Sequence, residues 1–287
     1  MTAENPTQGT TSELNANATS SGSDHAVEKD VKAAQGLSSP TVYEIISREG
    51  TDEMGRPAKS LWFSGVVAGL AISLSLYSMA ALRVGLEGVS GAGLLEKFGY
   101  SVGFLIVVLS RLQLFTENTI TPILPALRSR EKQMVWRVGR LWSIVFLANV
   151  CGTFIAALIP LYLPMFSPEH VNAMMDISLH FAHRPLGEVF ISAIPAGFLV
   201  AAMVWMLPSA KHFEFSIIVL MTFVIAVLDT SHVIVGSAEL FMAWLGGHAT
   251  AFDVIWRVLL SAAGNIMGGT VLFAGLAYAQ VSEEIRP

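Results

Sequence analysis

Two short polar stretches interrupt long apolar runs, and they hold the residues whose types and spacing suit chemistry best. The first is Leu114-Phe115-Thr116-Glu117-Asn118-Thr119-Ile120-Thr121-Pro122, and the second is Asp229-Thr230-Ser231-His232. An ionisable side chain inside a hydrophobic segment is a functional residue by default, which singles out His232. A free imidazole titrates near pH 6.5, so modest changes in its surroundings switch its charge. When neutral it can hand a proton to a weak-acid anion, and when charged it can attract one. The plain alternative is a ring satisfied by a backbone carbonyl. Thr116 occupies the matching place in the first stretch, where its hydroxyl can bond His232 if the two stretches meet. Its plain alternative is a helix cap, a position that suits threonine.

Asn149 follows Thr116 by 33 residues and begins Asn149-Val150-Cys151-Gly152; Asn265 follows His232 by 33 and begins Asn265-Ile266-Met267-Gly268. Asparagine amides in apolar helices must find partners, so these two are expected to brace the polar stretches or to face a lumen. Four charged residues lie near the stretches: Arg111, Glu117, Asp229 and Glu239. An isolated charge at the bilayer centre costs about 2.5–3.5 kcal/mol. Pairing is therefore expected, with Arg111 meeting Asp229 or Glu117. Asp229 would share a helix face with His232 if the helix ran that far. Tyr100, Phe104, Phe115 and Ile225 flank the polar centres and read either as constrictions that exclude water or as ordinary packing. His180 and His183, with Asp176 nearby, have a metal-like spacing. No Cys or H-E-x-x-H accompanies them, so the segment reads as a solvated outer loop and no metal site is assigned.

These residues need a particular scaffold. Threonine and asparagine side chains compete with helical bonding, and Pro122 and Pro125 remove amide donors. Each polar stretch therefore reads as a transmembrane helix broken in mid-bilayer, which is tolerated only where the backbone is buried in protein or lines a wet cavity. Two breaks followed at equal distance by N-x-x-G are the trace of an internal repeat, and paired interrupted segments point to a transport site. The spans expected around them cover residues 61–82, 98–127 (broken), 141–163, 186–207, 213–245 (broken) and 254–279. Small residues such as Gly65, Ala68 and Gly69 in the first span, echoed by Ala196 and Gly197 in the fourth, allow close helix contact. Arg128, Arg130, Lys132, Arg137 and Arg140 cluster after the second span and place that loop in the cytoplasm; six crossings put both termini there as well.

Composition agrees. The 287 residues are 53% hydrophobic and only 14% charged, with a mean hydropathy of +0.58, against about 25% charged residues in soluble domains. The reading is an all-α membrane protein. The net charge of −5 gives no support for nucleic-acid binding, and Cys151 is alone, which rules out a disulfide within one chain. No cleavable signal peptide is visible. Residues 1–40 are rich in Ser, Thr, Asn and Gly and read as a disordered cytoplasmic tail. Residues 41–60 form a juxtamembrane segment with a short amphipathic helix at 42–47, residues 61–280 the membrane domain, and residues 281–287 a cytoplasmic tail. No nucleophile–base set or cofactor motif is visible, so neither an enzyme nor a bound cofactor is expected.

Leu114-Phe115-Thr116, Ser231-His232 with Gly236, and Gly264-Asn265-Ile266-Met267-Gly268-Gly269 resemble the signatures of the formate/nitrite transporter family. The likeness spans the whole membrane part and is nearest to a bacterial inner-membrane group within that family. It implies an aquaporin-like fold of six helices in two inverted halves, assembled as a homopentamer with one pore per subunit. It also implies a central histidine and a loop threonine between two hydrophobic constrictions. Those roles fall on His232 and Thr116, the constrictions on Tyr100, Phe104, Phe115 and Ile225, and the family's asparagine and nearby basic residue on Asn149 and Arg140. The chain departs from the formate channel by placing Arg111, Gln113, Glu117, Ser231 and Gly236 where that channel has other residue types. These departures bring charge towards the ends of the passage.

The expected function is transport of small monovalent anions across the bilayer of the bacterial inner membrane, with protons as the second partner. Two alternatives stay open. One is a different small solute, neutral or cationic, suggested by Glu117, Asp229 and Glu239; the other is a non-conducting membrane protein that binds partners through its tail.

Overall fold

The computed structural model describes residues 36–129 and 131–285. The expected disordered tail falls almost wholly outside these, as do Arg130 and Arg286. The chain divides into a first unit, Met1–Ser38, and a second, Ser39–Pro287; the described part of the second is helical, without a strand.

The juxtamembrane segment is more ordered than its sequence suggests. Helix α1 (Ser39–Gly55) buries Val42, Tyr43, Ile46, Gly50 and Met54 along one stripe, the spacing of three and four that an amphipathic helix presents to a core. The Tyr43 hydroxyl donates to the Leu124 carbonyl at 2.6 Å, which ties α1 to the far side of the first break. The expected helix at 42–47 is thus part of a 17-residue one.

Helices α2 (Ala58–Ile72) and α3 (Leu74–Gly85) form the first long apolar stretch. The Gly-rich connection that follows is not bare loop. It includes α4 (Ala92–Glu96), and Arg83 closes onto Glu96 through two bonds of 2.9 Å. A 3-10 turn, Lys97–Tyr100, leads into α5 (Ser101–Leu109), where the helix stops; it resumes as α6 (Ile123–Ser129). Helix α7 (Lys132–Tyr162) runs straight through Pro160. The segment expected as a solvated outer loop is instead α8 (Pro168–Ala182), which buries Met174, Ile177, Ser178 and Phe181. Then come α9 (Leu186–Met206), α10 (Glu214–Val227) and α11 (Val233–Leu245), the last two flanking the second break. Helix α12 (Ala251–Ile266) passes through π-helical turns at Met267–Ala274 into α13 (Gly275–Val281).

Among the described residues, five continuous stretches are long and apolar enough to cross a membrane: Ala58–Gly85, Ala92–Leu109, Lys132–Tyr162, Leu186–Ser209 and Ala251–Val281. Helices α10 and α11 are apolar but too short to cross alone. Large apolar side chains such as Phe63, Leu147, Ile191 and Leu276 stay exposed on the outer faces, as suits contact with lipid.

Two close helix crossings hold the centre. A Cβ at Gly69 in α2 would stand 2.9 Å from the Gly152 Cα in α7, and one at Gly152 would stand 2.9 Å from the Gly69 Cα. A Cβ at Gly197 in α9 would stand 2.6 Å from the Asn265 Cα in α12, and one at Gly268 would stand 2.7 Å from the Phe198 amide nitrogen. Only glycine lets these backbones approach so closely. Each crossing carries one of the two asparagines.

Candidate functional site

At the second break α10 ends with Val227, and Asp229 adopts a left-handed φ of 50°. His232 is extended and caps α11, its Nδ1 accepting from the Val235 amide at 3.3 Å. Asp229 and His232 therefore do not share a helix face, because the helix they would need has already ended. At the first break Arg111 is likewise left-handed, with φ 53°, and the chain then makes a 3-10 turn, Glu117–Thr119.

The breaks meet at Thr116 and His232, whose Oγ1 and Nε2 lie 2.8 Å apart. Both residues are buried, Thr116 completely. The cap fixes the tautomer of the neutral ring. Since Nδ1 accepts from Val235, the ring proton sits on Nε2 and is donated to the Thr116 hydroxyl. Thr119 in turn donates its hydroxyl to the Thr116 carbonyl at 2.7 Å.

The asparagines hold the breaks in matching ways. Asn149 Oδ1 accepts from the Phe115 amide at 2.8 Å, and its Nδ2 donates to the carbonyls of Gln113 and Gly65, both at 2.8 Å. Asn265 Oδ1 accepts from the Val233 amide at 2.9 Å, and its Nδ2 donates to Ser231 at 3.0 Å and Ala193 at 2.8 Å. Each side chain thus satisfies the backbone immediately beside the Thr–His pair and ties it to a neighbouring apolar helix. Unbonded peptide groups are costly in an apolar interior, so an interrupted helix needs such braces.

Aromatic rings pack against the His232 side of the pair. Phe104 meets the His232 ring edge to face, with centroids 5.0 Å apart, and Tyr100 lies tilted against Phe104 at 5.4 Å. Phe115 contacts Trp142 and Phe146, and Ile225 is fully buried.

A cavity of about 430 Å³ reaches His232 from one side, with Tyr100, Gly236 and Glu239 on its wall and His180, Arg184 and Asp229 at its mouth. Arg184 organises that mouth. It donates to the Asp229 carbonyl at 2.8 Å and to the Ser231 hydroxyl at 3.2 Å, and it pairs with the Asp229 carboxylate. His180 Nε2 lies 2.9 Å from the same carboxylate, so His180 belongs to this cluster. No metal-binding group of His, Cys, Asp and Glu occurs among the described residues. Nothing in the local sequence marks Arg184, which stands before Pro185 in an apparent loop.

The other side of the pair is shaped by α1, a placement that no local pattern of residues predicts. Arg111 pairs with Glu49 of α1 at 3.5 Å and is largely exposed. The expected partners, Asp229 and Glu117, are not its partners. The left-handed turn at Arg111 directs the side chain outward to α1, while Asp229 is held by Arg184. Glu53 of α1 accepts from Gln113 at 3.0 Å and from Thr121 at 2.7 Å. Burial pushes the Glu53 carboxyl above its ordinary value of 4.5, against the lowering effect of those two bonds. Glu117 lies close by, one carboxylate oxygen buried without a hydrogen-bond partner. Arg140 reaches the carbonyls of Met54 and Arg56 at 3.5 and 3.1 Å. It holds the end of α1, and its hydrogen bonds among the described residues go there rather than to the Thr116–His232 pair.

The formate/nitrite transporter family model matches residues 40–279, nearly all of the second unit. The chain belongs to the formate/nitrite transporter family. Members are membrane transporters and channels rather than enzymes. The inner membrane protein YfdC of Escherichia coli (strain K12) is 40% identical over 245 residues, covering 85% of this chain and 79% of that one. Two solved structures share the fold. One is an FNT family ion channel, with a TM-score of 0.71 and 18% identity, matched over 83% of this chain and 98% of that one. The other is a pentameric formate channel with formate bound, with a TM-score of 0.66 and 21% identity, matched over 79% and 98% respectively. Within the family's fold, Thr116 and His232 occupy the junction of the two broken helices.

Proposed function

We propose that this family member conducts small monovalent anions of the formate and nitrite class, with proton linkage through His232. The observation that carries the reading is the Thr116–His232 bond, which joins two broken helices at the inner end of a 430 Å³ cavity. A neutral imidazole that spends its Nε2 proton on a threonine hydroxyl can instead offer it to an arriving anion. The α11 N-terminus adds the positive end of a helix dipole at the same place. Tyr100, Phe104, Phe115 and Ile225 act as the constrictions on either side.

The architecture proposed with it has six crossings in two inverted halves. The matched asparagine braces and the two glycine crossings support this repeat. In the same reading both termini are cytoplasmic, the protein sits in the bacterial inner membrane, and five copies assemble with one pore each. The pentameric formate channel that shares the fold supports the last point.

Stopped-flow uptake of formate, nitrite, acetate and hydrosulfide into proteoliposomes tests the reading, with His232→Ala beside the wild type. The expected result is uptake of at least one anion, abolished or made independent of pH in the variant. Rates equal to those of empty liposomes for every anion reject it. One observation favours a second reading, a neutral or cationic solute: the carboxylate of Glu239 faces the cavity with no recorded protein partner. Uptake of methylammonium or urea in place of the anions identifies that case.

A further inference from the structure

Glu239 is the one carboxylate in the cavity that the rest of the fold does not account for. Asp229 is engaged by Arg184 and His180. Asp176 is exposed at the rim. Glu239 is 9% exposed, lines the cavity, and has neither a hydrogen bond nor an ion pair among the described contacts. It stands on α11 seven residues beyond the cap residue His232, and Val235 and Gly236 line the cavity between them. At 1.5 Å per residue the two are about 10 Å apart along the helix.

We propose that Glu239 is a proton-binding site of this cavity, which loads a weak-acid anion with a proton before it reaches His232. The proposal deepens the anion reading and rests on it for its transport arm.

The argument is electrostatic. An ionised carboxylate and an anion about 10 Å apart, at an effective dielectric constant of about 20, disfavour anion occupancy roughly 15-fold. A protonated Glu239 removes that penalty. Its O–H proton can also pass through cavity water to a carboxylate or nitrite oxygen. The O–H bond at Glu239 breaks, one forms on the substrate, and the negative charge moves to Glu239. A proton from the solution at the cavity mouth restores the starting state.

The charged groups around Glu239 permit this cycle. Lys97 and Arg83 face the cavity from the 3-10 turn and α3, but Arg83 is held by Glu96. That leaves the Lys97 ammonium to offset the carboxylate once it is formed. From α8 the cavity receives Asp176 and His180, and Arg184 and Asp229 offset each other at the mouth. The Tyr100 hydroxyl shares the wall. Helix α7 carries its charged residues, Lys132, Arg137 and Arg140, only in its first nine positions. Helix α2 has only Lys59, in its first turn, and α12 has Asp253 bonded to Arg257.

The test uses the full chain in proteoliposomes, with formate uptake and internal acidification followed together at an acidic and a neutral external pH. Wild type is expected to take up formate faster at acidic pH, each anion accompanied by a proton. Glu239→Gln is expected to lose the pH dependence of uptake and part of the coupled acidification, while Glu239→Asp keeps the wild-type profile. A Glu239→Gln variant with the wild-type pH profile overturns the proposal, as does uptake that depends on sodium rather than on pH. A separate arm needs no transport. Difference infrared spectroscopy of the purified protein between the two pH values should show a protonated-carboxyl band that Glu239→Gln lacks. Its persistence in the variant overturns proton binding at Glu239. If wild type moves no anion but the band behaves as expected, the anion reading and the loading step fail while the proton site stands.

Discussion

Replacing either asparagine by leucine, Asn149→Leu or Asn265→Leu, keeps the number and branching of the side-chain heavy atoms and removes three hydrogen bonds at a stroke. For Asn149 these are the bonds to Phe115, Gln113 and Gly65; for Asn265 they are the bonds to Val233, Ser231 and Ala193. Hydrogen bonds inside membrane proteins average about 0.6 kcal/mol and reach about 1.7. Three of them predict a loss of about 2 to 5 kcal/mol for each variant. The two sites also share a consequence. Asn149 holds the residue before Thr116 and Asn265 the residue after His232, so both losses loosen the Thr116–His232 bond. The double variant should then lose less than the sum of the singles, by about the worth of that one bond. Equilibrium unfolding of the purified protein in mixed micelles, with all four members of the cycle, measures both quantities. A loss below about 0.5 kcal/mol for either single variant, the range of an ordinary surface substitution, would refute the bracing argument.

Three further outcomes follow from the packing and the charges. The Glu53 carboxyl is raised by burial above 4.5, so the folded state holds its proton more tightly than the unfolded chain. The stability of the α1 contact is therefore highest below that value and falls as pH rises through the folded pKa; Glu53→Gln should flatten the dependence of thermal unfolding on pH over that interval. Gly152→Leu forces a side chain into the backbone of α2 and should cost about 3 kcal/mol or more, seen as loss of the monodisperse peak in size-exclusion chromatography. Thr250→Ala removes the hydroxyl that caps α12 by accepting from the Asp253 amide at 3.1 Å; the expected cost is about 1 kcal/mol, measured by thermal unfolding.

Which segments are apolar, and where their helices stop, can be read from the local order of residues. Several residues whose side chains compete with the backbone, set side by side in a hydrophobic run, disrupt helical bonding where a single one does not, so the breaks at Thr116 and His232 were legible locally. The equal spacing to Asn149 and Asn265 was legible too, because both ends of each pair lie within one short stretch of chain. Partners distant in sequence were not. Arg111 turned to Glu49 because a left-handed turn aimed it at α1, and Asp229 went to Arg184 because α8 and the start of α9 carry that residue to the cavity mouth. An apparent outer loop became the half-buried helix α8 because its apolar stripe had a core to face. Local hydrogen-bonding preference fixes where a backbone can bend; which charges and faces then meet depends on how segments distant in the chain pack together.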